Sequence, residues 1–335
     1  TLAWSSAASD VYKRQALFGP EVEARFVAGP PAPVMPSAVV VEAYDGLRGV
    51  GGAVAWARFV QGGFPSLAGF GGKSVSYANV FAQVMLRLPA VGLWLDHHAS
   101  MCAGGVGCMA CALRNSRGQL GQVAPAEIVR RARLAGVAYR DLAEEHDAVR
   151  FAVDALQTMR DAEVVVGRCG EWAGVGTQGA SVATHVDRIF GVLVEERREC
   201  TCCKAVGRSF ERQFVYDLEA VGGVGDALVT DMYLRSCVPC EGVRVCQSGA
   251  CRGRETTHRL QRRMVNLPNV LLLAVRRAGD SRGVVSVEEQ ISFPELGSLV
   301  LGAVVFALGT RGGRFRYACA CRAPDGDFWF LDCLL

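Results

Sequence analysis

The sequence predicts an α+β protein: helices first, then a cysteine-bearing β insertion, then a β-rich close. Three observations predict it. Apolar residues recur about every 3.6 positions through much of residues 53–190. Cysteines then gather as C-x-x-C pairs between Cys200 and Cys251. β-branched and aromatic alternation dominates after Ser209. The 335 residues are 50% hydrophobic and 21% charged. That composition can bury a large core and excludes disordered, collagenous and coiled-coil classes. A formal net charge of +3 is too balanced to imply nucleic-acid or membrane-surface binding, so neither partner is expected.

The elements follow in order. Asp10–Gln15 reads DVYKRQ and resembles a translated sequencing-adapter end, so residues 1–15 are set aside. Residues 16–40 contain GPPAPVMP, whose prolines fix φ and remove amide donors; the whole of 1–40 is expected to be unstructured. Helical spacing runs from Ala53 to Val60 and from Tyr77 to Leu88, with Ser76 as a candidate cap and Pro89 as a stop before a helix over Val91–His98. Ala124–Ala135, Asp141–Met159 and Thr184–Phe190 also read as helices. Strands are predicted over Ser209–Leu218, parts of Thr256–Val265, Asn269–Arg277, Val284–Phe293, Leu299–Gly309, Phe315–Arg322 and Phe328–Asp332. The longest apolar stretch, Leu296 to Thr310, falls short of the ~20 residues of a membrane-spanning helix.

Cys200-Thr-Cys-Cys203 and Cys237-Val-Pro-Cys240 are two C-x-x-C turns. Each places two thiolates on one edge of a tetrahedron, and two facing turns close a Cys₄ zinc site. Cys200, Cys203, Cys237 and Cys240 are therefore the predicted ligands of a structural zinc, with Cys246 and Cys251 competing for the same role. A looser group, His98, Cys102, Cys108 and Cys111, either binds a second metal or is a set of buried thiols. Many thiols in a large chain with no readable secretory signal point to a reducing compartment, cytoplasmic or nuclear.

Five segments, taken together, resemble the catalytic domain of the ubiquitin-specific proteases (USPs), papain-like deubiquitinating enzymes. Tyr77–Leu95 (YANVFAQVMLRLPAVGLWL) resembles the helix after the family's nucleophile. His146-Asp-Ala-x-x-Phe151 is similar to its Q-x-D-A-x-E-F box. Residues 184–203 resemble the approach to its zinc ribbon, and Leu267–Arg277 the strand leaving it. Leu301–Asp332 resembles the terminal box that carries the catalytic His and Asp. The resemblance implies a papain-like fold, with an α thumb over 41–195, zinc-ribbon fingers over 196–266 and an antiparallel palm over 267–335. It also implies ubiquitin, or a ubiquitinated protein, as partner, and a tail contact at Asp147.

The motifs depart from the family where the chemistry lies. Its G-N-T-C-Y-x-N reads Lys73-Ser74-Val75-Ser76-Tyr77-Ala78-Asn79 here, so Ser76 stands at the nucleophile and Ser74 at the oxyanion position. A second register over Gly46–Gln61 places Val54 at the nucleophile. The family's G-H-Y reads Phe315-Arg316-Tyr317, and an earlier family His is Ala307. Only Asp332 matches the third triad member. Arginine keeps its proton at any physiological pH and cannot act as base. A pseudo-deubiquitinase that binds ubiquitin or serves as a scaffold is expected; the alternative is an active thiol deubiquitinase whose site residues are misread.

Overall fold

The computed structural model describes residues 37–42, 50–51, 57–59, 75–102, 108–117, 128, 146–165, 170–172, 181–220, 227–277, 285–309, 315–323 and 326–332. The elements run β1 (Ser37–Glu42), β2 (Val50–Gly51), β3 (Ala57–Phe59), α1 (Ser76–Arg87), α2 (Pro89–Met101), α3 (Met109–Arg117) and α4 (Ala148–Val165). Next come β4 (Gly170–Trp172), β5 (Ser181–Ala183), α5 (His185–Phe190), β6 (Val192–Cys200), β7 (Val206–Gln213), β8 (Val215–Ala220), β9 (Ala227–Leu228) and α6 (Val229–Ser236). The chain closes with β10 (Cys240–Val245), β11 (Glu255–Met264), β12 (Val270–Arg277), β13 (Val285–Ser286), β14 (Gln290–Phe293), β15 (Gly297–Gly309), β16 (Phe315–Arg322) and β17 (Phe328–Asp332).

Eight strands form the main sheet, in the order β3-β17-β16-β15-β1-β12-β8 with β14 beside β15. It is mixed: β14 to β17 are antiparallel neighbours, whereas β1 is parallel to both β12 and β15, and β8 is parallel to β12. The expected all-antiparallel palm is thus corrected. Long crossovers separate β1 from β12 and β8 from β12, and strands joined by crossovers return parallel. The segment boundaries shift for the same reason. Ser37–Val40, expected to be unstructured, pair inside the sheet. β8 belongs to the main sheet although it lies within 196–266. Ala57–Phe59, read as helical, is a strand on β17. Helix spacing over Ala124–Ala135 falls outside the described residues except at Ile128.

β12 shows why its sequence, NVLLLAVRR, is a nearly unbroken apolar run. Val270, Leu272 and Ala274 face one core, and Leu271, Leu273 and Val275 face the other, so both sides need apolar residues. The first core is shared with α1, α2, α3, α4 and α5. The second includes Val229, Met232 and Tyr233 of α6. α1 is buried from Ser76 through Leu86, which explains an apolar helix interrupted only by the small or buried polar Ser76, Asn79 and Gln83. Among the described residues no single helix is long and apolar enough to cross a membrane.

A separate four-stranded sheet, β10-β11-β6-β7, is antiparallel throughout. Asp187 fixes it to the helices. The buried carboxylate completes a capping box with Thr184 at the start of α5 and pairs with Arg160 of α4 at 3.1 Å and Arg212 of β7 at 2.9 Å.

Candidate functional site

The four-stranded sheet carries its cysteines at one end. β6 ends at Cys200, and the turn to β7 holds Cys203; β10 ends at Val245, and the turn to β11 holds Cys246 and Cys251. The ladder pairs Cys200 with His258 and Val245 with Glu255, which brings both turns to the same tip. The sulfurs of Cys200, Cys203, Cys246 and Cys251 all lie within 4.8 Å of one another. Cys200–Cys251 is 3.9 Å and Cys203–Cys246 is 3.7 Å. A tetrahedral zinc with bonds of about 2.3 Å needs sulfur–sulfur edges of about 3.8 Å, so this donor set fits zinc in geometry and in chemistry.

The predicted partners Cys237 and Cys240 are not in that cluster. Cys237 ends α6, and Cys240 opens β10 opposite Leu260, six residues before Cys246 along an extended strand. At ~3.3 Å per residue that is roughly 20 Å from the tip. The C-x-x-C spacing pointed to the wrong pair because the second turn is C-x₄-C. Thr256 and His258, which sequence reasoning passed over, stand behind the cluster. The Thr256 hydroxyl lies 3.3 Å from Cys200 Sγ and 3.1 Å from His258 Nε2. That hydroxyl is the first cause pulling the Cys200 thiol down to about 5. Cys203 is also lowered, first by the Ala205 backbone. Cys251 is raised, first by its hydrogen bond with Cys203. Cys246 is raised although the Ser248 backbone pulls it down, because burial and bonds to Cys203 and Cys200 act the other way.

A second cluster joins α2 to α3. His98, Cys102, Cys108 and Cys111 bring their donor atoms within 4.8 Å of one another. His98 Nε2 is 3.1 Å from Cys108 Sγ, and the Cys111 amide donates to that sulfur at 3.5 Å. A His–Cys contact of this length has the reach of a nucleophile–base pair. Two further thiols converge on it, however, and burial pushes Cys108 upward, opposite to an activated thiolate. Cys111 is pushed up to about 12, again first by burial. The arrangement suits a tetrahedral His-Cys₃ metal site. Behind it, Trp94 Nε1 and the Val186 amide donate to the buried Glu163 at 3.0 and 3.3 Å, tying α2, α4 and α5 together.

The predicted triad positions lie at the junction of α1 and the main sheet. Ser76 is the first residue of α1, and its cap is Val75 without a side-chain bond, so the expected capping role for Ser76 is not observed. Its Oγ instead accepts the Tyr317 amide of β16 at 3.0 Å, and the side chain is 6% exposed. That amide joins Arg316 to Tyr317, so Arg316 sits at the same spot, half-buried. Asp332 closes β17 opposite Ala318 of β16. Ala307, also buried, pairs with Tyr317 from β15. Ser74 and Val54 lie outside the described residues.

Asp147 is exposed and caps α4, accepting the amides of Val149 at 2.6 Å and Arg150 at 3.2 Å. His146 packs edge-on against Tyr77 at 5.2 Å, and Phe151 does so at 5.1 Å, seating the start of α4 beside the residue that follows Ser76. The Tyr317 amide and the start of α4 thus meet α1 at successive residues, Ser76 and Tyr77.

No family model and no curated protein matches the chain. Solved structures do. It is similar to a chain of the SAGA Ubp8/Sgf11/Sus1/Sgf73 DUB module bound to ubiquitin aldehyde, with a TM-score of 0.61 at 12% identity over 82% of this chain. It is also similar to a variant of that module bound to monoubiquitin, with a TM-score of 0.63 at 13% identity over 82% of this chain. In both cases the match spans 64% of the other chain. The chain thus has a mixed helix-and-sheet, USP-like fold.

Proposed function

We propose that this chain is a USP-like domain that has lost peptidase chemistry and serves to bind ubiquitin or a ubiquitinated protein, or as a scaffold, in the cytoplasm or nucleus. In this reading the helices are the thumb, the four-stranded sheet the zinc-ribbon fingers and the eight-stranded sheet the palm. Asp147, at the exposed start of α4, is the tail contact.

The observation that carries the reading is the Ser76 environment. Its hydroxyl accepts a backbone amide, it is buried, and the adjoining residue is Arg316 rather than a base. A serine hydroxyl is a weak nucleophile without a base to take its proton, and a guanidinium already holds its own. Loss of a nucleophile or base in comparable hydrolases lowers turnover by roughly 10⁴–10⁶.

The test uses a fluorogenic ubiquitin C-terminal ester and calorimetric titration with ubiquitin. Neither the natural chain nor Ser76→Cys is expected to turn over the ester, while ubiquitin binds. Robust hydrolysis by the natural chain would falsify the reading, and so would absence of ubiquitin binding.

A further inference from the structure

We propose that Thr256 and His258 are positioning residues for a metal at the tip of the four-stranded sheet. His258 donates from Nε2 to the Thr256 hydroxyl, and that hydroxyl donates to the Cys200 sulfur, which holds this thiolate toward the ion. The proposal goes beyond the ubiquitin reading and rests only on the tip as a metal site.

Strand pairing brings the three side chains together. His258 of β11 stands opposite Cys200 of β6, and directly opposed residues share a face. Thr256, two positions along β11, shares that face too. The Thr201 amide donates to the Thr257 carbonyl at 2.9 Å, so the main chain of Thr257 turns toward β6. Cys200 and His258 are therefore the close kind of antiparallel pair, with no ladder bond between them and their side chains drawn together. The Thr256 hydroxyl lies 3.3 Å from Cys200 Sγ and 3.1 Å from His258 Nε2, bridging the two. Cys200 is fully buried and His258 is 7% exposed. His258 Nδ1 is buried with no hydrogen-bond partner among the described residues.

Proton counting fixes the direction of the relay. A threonine hydroxyl carries one proton and two lone pairs. A metal-bound thiolate carries no proton and only accepts. The hydroxyl proton therefore goes to Cys200 Sγ, and an oxygen lone pair is left for His258. Nε2 must then bear the imidazole N–H, with a bare lone pair at Nδ1. The other tautomer takes the hydroxyl proton away from the sulfur. It also leaves an N–H at Nδ1 without an acceptor, a buried orphan of a kind that folded proteins rarely keep. Four thiolates bring more negative charge than a divalent ion offsets, so a donor on one buried sulfur relieves part of the excess. Groups that hydrogen-bond to metal ligands from behind typically carry about ten- to hundredfold in metal affinity.

The experiment loads the full chain with cadmium-113 in place of zinc. Each sulfur ligand moves the cadmium resonance downfield, so the four-sulfur tip and the His98 cluster give separate lines. Under chelator competition, Thr256→Val should lose the tip line at roughly ten- to hundredfold less chelator than the natural chain. The His98-cluster line should stay in place and report that the variant is folded. Thr256→Ser, which restores the hydroxyl, should keep the natural affinity. Nitrogen-15 spectra of the imidazole rings in the zinc-loaded natural chain, assigned with His258→Phe, should place the His258 proton on Nε2. Natural tip affinity in Thr256→Val overturns the proposal. So does an equal loss in the serine and valine variants, or a His258 ring protonated at Nδ1 alone. A tip that takes up no cadmium overturns the metal reading together with the relay, and leaves the ubiquitin reading untouched.

Discussion

The tip of the four-stranded sheet and the start of α1 differ in what stands where a thiol is expected. At the tip, four thiols converge with the edge lengths of a tetrahedral site, backed by Thr256 and His258. At the start of α1, the residues that the family resemblance sets at the thiol and base positions are Ser76 and Arg316, and the Ser76 hydroxyl accepts the Tyr317 amide. The complete cysteine set is the one placed to hold a metal at the tip. A metal centre supplies folding free energy, whereas a catalytic triad contributes chemistry and little stability.

The largest expected effect breaks the tip. Cys251→Ser removes one of four ligands from a site whose metal binding is of order 10 kcal/mol in isolated peptides. Native mass spectrometry should then show one bound zinc in place of two, with the β10–β11 turn losing amide-exchange protection while α1 keeps its own. Retention of two zincs would contradict the assigned quartet.

Acidification weakens the same site more gradually. Cys246 and Cys251 have raised pKa values and hold protons at neutral pH in the metal-free chain, so zinc must displace them. Affinity should rise with pH, by about tenfold per unit for each proton displaced. Chelator competition at pH 6 and pH 8 measures the slope, and a flat profile would exclude thiol ligation.

A third change probes the helices and leaves the tip untouched. Burial raises the Glu163 carboxyl, but hydrogen bonds from His185, Trp94 and Val186 outweigh it and lower the pKa overall. A depressed folded pKa stabilises above the unfolded value of about 4.3, and that stability is lost as pH falls through the folded value. Glu163→Gln should cost ~1–3 kcal/mol in urea unfolding at pH 7, with the deficit shrinking in acid. A constant deficit across pH would show that the charge has no part.

The smallest effect sharpens the picture of the tip. Lys204 follows the second cysteine of its turn with φ of 61°, a left-handed conformation that costs a non-glycine residue. Lys204→Gly should stabilise the sheet by up to ~1 kcal/mol in the same assay, and a destabilised variant would mean the lysine makes a contact of its own.

Local patterning made much of this legible. Tyr77–Leu88, Thr184–Phe190, Asn269–Arg277 and Phe315–Arg322 read correctly because periodicity and apolar content are properties of neighbouring residues. The wrong readings all involve residues distant in sequence. Ser76 resembled a helix cap because hydroxyls favour that place, yet its partner is Tyr317 across the core. Ser37–Val40 resembled a linker's end, yet two strands from the other end of the chain flank it.

From residue order alone came the α+β class and a thiolate cluster able to hold a metal, since those depend on residue identity and short spacing. Only the folded chain decided that Cys246 and Cys251 rather than Cys237 and Cys240 gather with Cys200 and Cys203, and that the Tyr317 amide meets Ser76. Strand register and long-range packing make those choices, and they arise from burial summed over the whole molecule, which no local window of sequence contains.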